Sequence, residues 1–269
     1  MTAPDDGRRP ALYAPLVIDT HCHLASAKFD ADRSEMVARA RAAGVERLIC
    51  IADSLPESEK CLALAKEFAY IFCTTGVHPH AAKDWDGQSL EQLRTLAQGE
   101  KVVAIGEIGL DYHYDFSPRE KQKEAFVRQL ELAAELKLPA VVHCREAVTD
   151  VRELLLASQA RAVIHCCTET WDDVAPLVAA GHFLSFTGIA TFPASTVIRN
   201  TIKQCPIEQL MIETDSPYLA PVPHRGKRNE PAFLPQVLQC VAEIKGLSVA
   251  EADKATTAAA QAFFGRQLA

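Results

Sequence analysis

Short apolar runs recur along this chain, several of them ending on an ionisable residue, and stretches with helical spacing separate them. The runs fall at residues 16–19, 45–52, 70–77, 102–107, 139–143, 162–165, 183–186 and 210–213. They are continuous rather than alternating, which is the pattern of strands buried on both faces of a parallel sheet. The segments between them predict helices near 31–43, 56–68, 88–98, 146–158, 171–180, 194–204 and 232–245. Two more helices are signalled by capping boxes. Ser117-Pro118-Arg119-Glu120, with Pro at the first helical position, opens a helix whose Phe126, Leu130, Ala133 and Ala134 share a face. Ser248-Val249-Ala250-Glu251 opens the C-terminal helix.

Eight strand–helix units in a chain of 269 residues predict an α/β fold of the (β/α)8 TIM-type barrel kind, with a doubly wound open sheet as the alternative. The polar residues favour the barrel. His23, His78, Glu107, His143, His165 and Asp215 lie at the C-terminal ends of six different runs. A closed barrel gathers such residues at one mouth, whereas an open sheet spreads them along an edge. Residues 1–13 are polar and Pro-containing and read as a flexible arm; residues 14–269 read as one domain, with no repeat or linker to divide it.

Composition narrows the function. Hydrophobic residues make up 48% and charged residues 23%, as in soluble globular proteins. The net charge of −7 argues against a broad nucleic-acid-coating surface, yet allows one phosphodiester to be held in a cleft by metal and a few arginines. Nine cysteines cannot all pair, and Cys50, Cys73, Cys144 and Cys166 sit inside apolar runs as expected of buried free thiols. No apolar leader or membrane-length segment is present, so a reducing, cytoplasmic setting with no membrane and no obligate protein partner is expected.

Candidate chemistry sits at the run ends. Alternate strand residues point to one side, so Asp19, His21 and His23 are expected to share a face while Cys22 turns into the barrel wall. Two neutral imidazoles with carboxylates arriving from other strands form a ligand set for a divalent cation; the bland alternative is a pair of hydrogen-bonded core histidines. Glu107 stands between Gly106 and Gly109, which permit close backbone approach, and is placed to bridge two cations; otherwise it is a buried ion-pair partner. His143 and Arg145 share a face, the first a ligand, the second a planar fork for phosphate, unless Glu146 or Asp150 occupies it. His165 parallels His143. Asp215 combines a possible metal contact with general-base capacity, against the alternative of a helix cap before Pro217, and Glu213 lies deeper as a supporting acid. His78 and His80 are outer ligands, phosphate contacts or structural loop histidines. His224-Arg225-Gly226-Lys227-Arg228, after the last strand, is a phosphate loop or a solvated basic loop.

Taken together, Asp19-Thr-His-Cys-His-Leu24, Gly76-Val-His-Pro-His80, Gly106-Glu-Ile-Gly-Leu-Asp-Tyr112, Val142-His-Cys-Arg145, Glu213-Thr-Asp-Ser-Pro-Tyr-Leu219 and Arg225-Gly-Lys-Arg-Asn-Glu-Pro231 closely resemble the TatD family of metal-dependent deoxyribonucleases, within the wider metal-dependent hydrolase superfamily. The resemblance runs over nearly the whole chain from Val17. It implies a two-metal site, with His21, His23, Glu107 and Asp215 on one cation and Glu107, His143 and His165 on the second. It also implies Mg2+-dependent hydrolysis of DNA, commonly from the 3′ end and favouring single strands. Two positions depart from the family pattern: Cys167-Thr168-Glu169 makes the loop after the sixth strand more acidic, and Ala259 replaces a usual Asn.

The expected function is therefore a divalent-metal-dependent phosphodiesterase acting on DNA. Mg2+ is the expected activating ion, with Zn2+ or Mn2+ as alternatives. Asp215 and Glu107 would serve catalysis, and Arg145, His78, Tyr112 and Arg225 would contact substrate. The alternatives are an amidohydrolase-type enzyme acting on a cyclic amide, lactone or phosphotriester, and a non-catalytic metal-binding protein.

Overall fold

The structure, a computed structural model, describes residues 17–265 and Leu268. The arm expected at 1–13 lies outside the described residues. Eight parallel strands pair in chain order: β1 (Val17–Cys22), β2 (Val45–Cys50), β3 (Ile71–Thr75), β4 (Val102–Asp111), β5 (Ala140–Arg145), β6 (Ala162–Ile164), β7 (Phe183–Phe186) and β8 (Leu210–Ile212). The chain beyond β8 returns to β1. Cys22 and Ser216 form a parallel bridge, the His23 N–H donates to the Ser216 carbonyl at 2.8 Å, and the Asp215 N–H donates to the His21 carbonyl at 2.9 Å. The result is the expected (β/α)8 barrel in one domain, not an open sheet.

Nine helices are described: α1 (Arg33–Ala42), α2 (Leu55–Glu67), α3 (Gly87–Leu96), α4 (Arg119–Leu136), α5 (Val148–Ala157), α6 (Trp171–Ala179), α7 (Thr196–Gln204), α8 (Leu234–Lys245) and α9 (Val249–Phe264). Each expected helix is present. The capping box at Ser248 and Glu251 forms, but the one expected at Ser117 does not. Ser117 instead accepts from the Lys83 N–H and donates to the His80 carbonyl, both at 2.9 Å, so it ties the segment after β3 to the start of α4. A tertiary bond has displaced the local one.

Apolar side chains fill two layers. The outer layer lies between strands and helices, and Cys22 faces it as expected. The inner one fills the barrel with Ile18, Ile49, Phe72, Val103, Val141, Val163, Phe183 and Met211. Ala259, Ala260, Phe263 and Phe264 of α9 join this inner layer beside the strand starts and close that end as a floor. Ala259 thus has a packing role far from the strand ends. At the other end β4 and β5 run on to Asp111 and Arg145. Glycine permits this: a Cβ on Gly106 would stand 2.7 Å from Val141 Cβ, and one on Gly109 (φ 136°) would stand 2.1 Å from the His143 carbonyl oxygen.

Candidate metal centre

β1 places the first two histidines, though not by simple alternation. Its pairing to β2 slips between Asp19 and Cys22, so one extra residue is inserted there. Such a bulge re-aims side chains. Asp19 is parted from His21 and His23, with which it was expected to share a face. Its carboxylate accepts from the Thr214 N–H at 3.0 Å and the Thr214 hydroxyl at 2.6 Å, bracing β1 against the end of β8. His21 and His23 still converge, with their Nε2 atoms 3.3 Å apart.

Glu107 sits at the centre of the mouth, with its two oxygens divided. Oε2 lies 3.4 Å from His21 Nε2 and 3.7 Å from His23 Nε2. Oε1 lies 2.8 Å from His165 Nε2, 3.0 Å from His143 Nδ1 and 3.4 Å from His78 Nε2. Asp215 completes the first group, its Oδ1 standing 3.4 Å from His23 and 3.6 Å from His21. Its backbone is in the left-handed region (φ 54°), which aspartate tolerates better than most residues. Glu213 stays deeper, accepting from the Cys166 N–H at 2.7 Å with His165 Nδ1 3.3 Å away.

Hydrogen bonds separate ligands from supports. His78 Nδ1 accepts from the His80 N–H at 3.1 Å, so in the neutral ring the proton is on Nε2 and points at Glu107. His78 is therefore a donor to the central carboxylate. Asp111, fully buried, was not among the expected site residues. Its Oδ2 lies 3.1 Å from His143 Nε2 and 2.9 Å from His80 Nε2, and its Oδ1 accepts from the N–H groups of His113 and Tyr114. That bond leaves His143 Nδ1 as the nitrogen turned to Glu107, the carboxylate–histidine arrangement that orients metal ligands. Asp111 shares parity with Glu107 along β4, a signal present in the sequence.

Electrostatics set the charge states. Burial disfavours the Glu107 carboxylate, but His165, His78 and His143 outweigh it and hold the carboxyl well below its usual range. Asp215 is likewise lowered against burial by His23 and His21. Burial drives His78 down to about 4 and lowers His21 as well, so both are neutral at pH 7. His23 rises to about 9 despite burial, because Asp215 stabilises its charged form. His143 and His165 also rise against burial, through Asp111 and Glu107 for the first and through Glu107 and Glu213 for the second. Cation and proton therefore compete for these three rings. The donor set fits divalent cations: imidazole and carboxylate atoms converge within 4.8 Å in the groups His21, His23, Glu107 and His78, Glu107, His143.

A cleft of about 980 Å³ opens above, lined by His23, His78, Glu107, His143, His165 and Asp215, with Arg145, Tyr114, Tyr218 and Lys60 at its walls. Arg145 has no acidic partner among the described residues: Glu146 is taken by His113, and Asp150 by Tyr112 and Lys123. Two expected substrate contacts are not brought here. The Tyr112 hydroxyl donates to Asp150 and its ring lies under Arg119, so the aromatic that the turn after β4 brings to the cleft is Tyr114. Arg225 stacks on Phe192, and its loop neighbour Arg228 pairs with Asp32. Cys144 and Cys166, expected buried, are only half-buried and line the cleft. Glu169 points its carboxylate toward Cys144 and is not part of the lining, although Thr168 is.

Buried histidines grouped around a central carboxylate, at the C-terminal mouth of a (β/α)8 barrel, define a metal-dependent hydrolase. The chain belongs to the TatD related DNase family, whose model matches residues 18–265. It is 41% identical over 257 residues to the 3'-5' ssDNA/RNA exonuclease TatD of Cronobacter sakazakii, covering 92% of this chain and 97% of that protein. It is 38% identical to the uncharacterized metal-dependent hydrolase YabD of Bacillus subtilis, covering 93% and 99%. The crystal structure of YJJV, a TatD homolog from Escherichia coli, superposes with a TM-score of 0.87 at 28% identity, covering 94% of this chain and 99% of that one. No helix among the described residues is long and apolar enough to cross a membrane.

Proposed function

We propose that this chain hydrolyses phosphodiester bonds of single-stranded DNA from the 3′ end, using two divalent cations, with Mg2+ as the activating ion and Zn2+ or Mn2+ as alternatives. The carrying observation is the division of Glu107, with one oxygen toward His21 and His23 and the other toward His143 and His165. His21, His23, Asp215 and Glu107 Oε2 would hold one ion, and His143, His165 and Glu107 Oε1 the other. When bound, such cations polarise a phosphoryl oxygen and bring the pKa of water toward neutrality. Asp215 has Oδ1 turned to the histidines, leaving Oδ2 to orient the attacking water and accept its proton. Arg145, free of an acidic partner, holds the non-bridging phosphate oxygens through its planar fork. His78 keeps Glu107 in place through its Nε2–H, and Asp111 does the same for His143. The relative from Cronobacter sakazakii supports the substrate and polarity by its name.

The test is incubation of the purified protein with end-labelled single-stranded DNA under a panel of divalent ions, with an EDTA control. Stepwise, EDTA-sensitive shortening from the 3′ end is expected. Intact DNA alongside metal-dependent turnover of a cyclic amide or lactone would overturn the proposal.

A further inference from the structure

Resting on that reading, we infer that the uncleaved part of the strand leaves the metal centre between the segment after β1 and helix α2, across Tyr218, Lys28 and Lys60. A second hollow of about 350 Å³ begins where the cleft ends and shares Ala25, Ala27 and Lys60 with it. Ala25, Ala27 and Ala63 leave room in it for a strand backbone; Asp30, Arg33, Leu64 and Glu67 also line it, with Asp30 held by Arg33.

Charge marks the same path. Most basic groups on this face are held by acids: Arg228 by Asp32, Arg39 by Glu230 and Asp32, Arg33 by Asp30. Among the described residues Lys28 and Lys60 have no carboxylate at ion-pairing distance, and both are exposed. Lys28 Nζ lies 4.4 Å over the ring of Tyr218, which is 47% exposed and lines the cleft. An exposed tyrosine beside unpaired ammonium groups is the combination that binds single strands without sequence preference, base on ring and phosphate on cation.

The opposite wall offers no such platform. Tyr114 there has Arg145 over its ring at 4.6 Å and is stacked with Phe116 at a ring separation of 5.2 Å, so its faces are engaged. Among the described residues the Tyr218 ring meets the Lys28 ammonium and, at 6.0 Å, the edge of His23. Asp53 and Glu57 also line the cleft near Lys60, joined by the Asp53 N–H to Glu57 at 3.0 Å.

Length dependence separates this path from the reaction itself. Binding of a phosphorothioate-linked strand of about ten nucleotides, which resists hydrolysis, is measured against salt for the wild type and for Lys28→Ala/Lys60→Ala. Each lost phosphate contact removes about 0.7 from the slope of log K against log salt on single strands. The double variant should therefore show a slope smaller by about 1.4, with its turnover of a dinucleotide reduced much less than its binding of the long strand. Tyr218→Ala should weaken binding of the long strand roughly 5- to 150-fold, the value of one base stack, and much less when the strand is abasic. An unchanged slope, or equal losses on dinucleotide and long strand, would overturn the inference. A wild type that cleaves neither substrate sinks the phosphodiesterase reading instead, while the slope still reports whether strands follow this groove.

Discussion

The two ends of the barrel are built from opposite materials. At the mouth, ionisable side chains are buried together, and Glu146, Cys166, Asp215 and Leu219 hold left-handed backbone that disfavours non-glycine residues. At the floor, Phe263 and Phe264 pack with Phe183, Val103, Val163 and Met211, and the polar groups there find partners. Arg161 donates to the carbonyls of Ala262 and Phe263 at the end of α9, and His182 Nδ1 accepts from the Ala162 N–H. Chemistry is concentrated at one end and packing at the other. Substitutions at the two ends should therefore fail in different assays.

At the mouth the largest effect is expected from His21→Ala/His23→Ala. Both nitrogens face Glu107 Oε2 and Asp215, so calorimetric titration of the EDTA-stripped variant should show loss of cation uptake at that group of ligands, with no measurable hydrolysis. Unchanged uptake would remove these histidines from the ligand set. Asp215→Asn keeps the shape and one oxygen but removes the base. Its kcat should fall about 10²–10⁴-fold, the usual worth of general-base assistance, with DNA binding largely kept. Near-full kcat at saturating metal would pass the role of base to Glu107.

The floor should break the other way. Phe263 is 1% exposed and packs on Phe183 and Phe264 with ring separations of 5.1 and 4.8 Å. Phe263→Ala should cost about 3–5 kcal/mol of stability, read from urea unfolding. The folded fraction should take up as much cation as the wild type. A variant that kept its stability but lost metal would contradict the separation of the two ends.

The same contrast explains what was legible in the sequence. Strand ends carrying His, Glu and Asp announced the mouth, because ionisable residues closing apolar runs have few structural reasons to be there. Glu107 and Asp215 reach the mouth, as their places at the ends of apolar runs indicate. Asp19 is parted from His21 and His23, because the bulge in β1 comes from pairing with β2, which a single strand does not reveal. Tyr112 and Tyr114 are two residues apart on a turn; which of them reaches the cleft depends on Asp150 and Arg119, brought in by α5 and α4. The loop from His224 to Arg228 looked like a phosphate site because nothing local shows Asp32 and Phe192 arriving from other elements. The floor was the least legible. A C-terminal helix with buried alanines and phenylalanines reads like any other until its place under the barrel is known.

The smallest expected effect is a pH dependence that belongs to the floor. Burial lowers the pKa of His182, and its Nδ1 is already occupied as the acceptor of the Ala162 N–H at 3.1 Å. A proton placed there would break that bond inside an apolar layer. The unfolded chain, by contrast, takes up the proton at an ordinary histidine value of about 6.5. Below that pH the unfolded state binds more protons than the folded one, so stability falls as pH falls from about 6.5 toward the folded value, and is fully present above it. His182→Asn puts a non-titrating oxygen near the Nδ1 position and keeps the acceptor. Urea unfolding of both proteins across this window should give curves that converge or cross as pH falls, with the variant gaining on the wild type. The sites at the mouth titrate identically in the two proteins and cancel from the difference. Curves that stay parallel would mean that His182 keeps the same proton affinity folded and unfolded, and the floor would then contribute nothing to acid sensitivity.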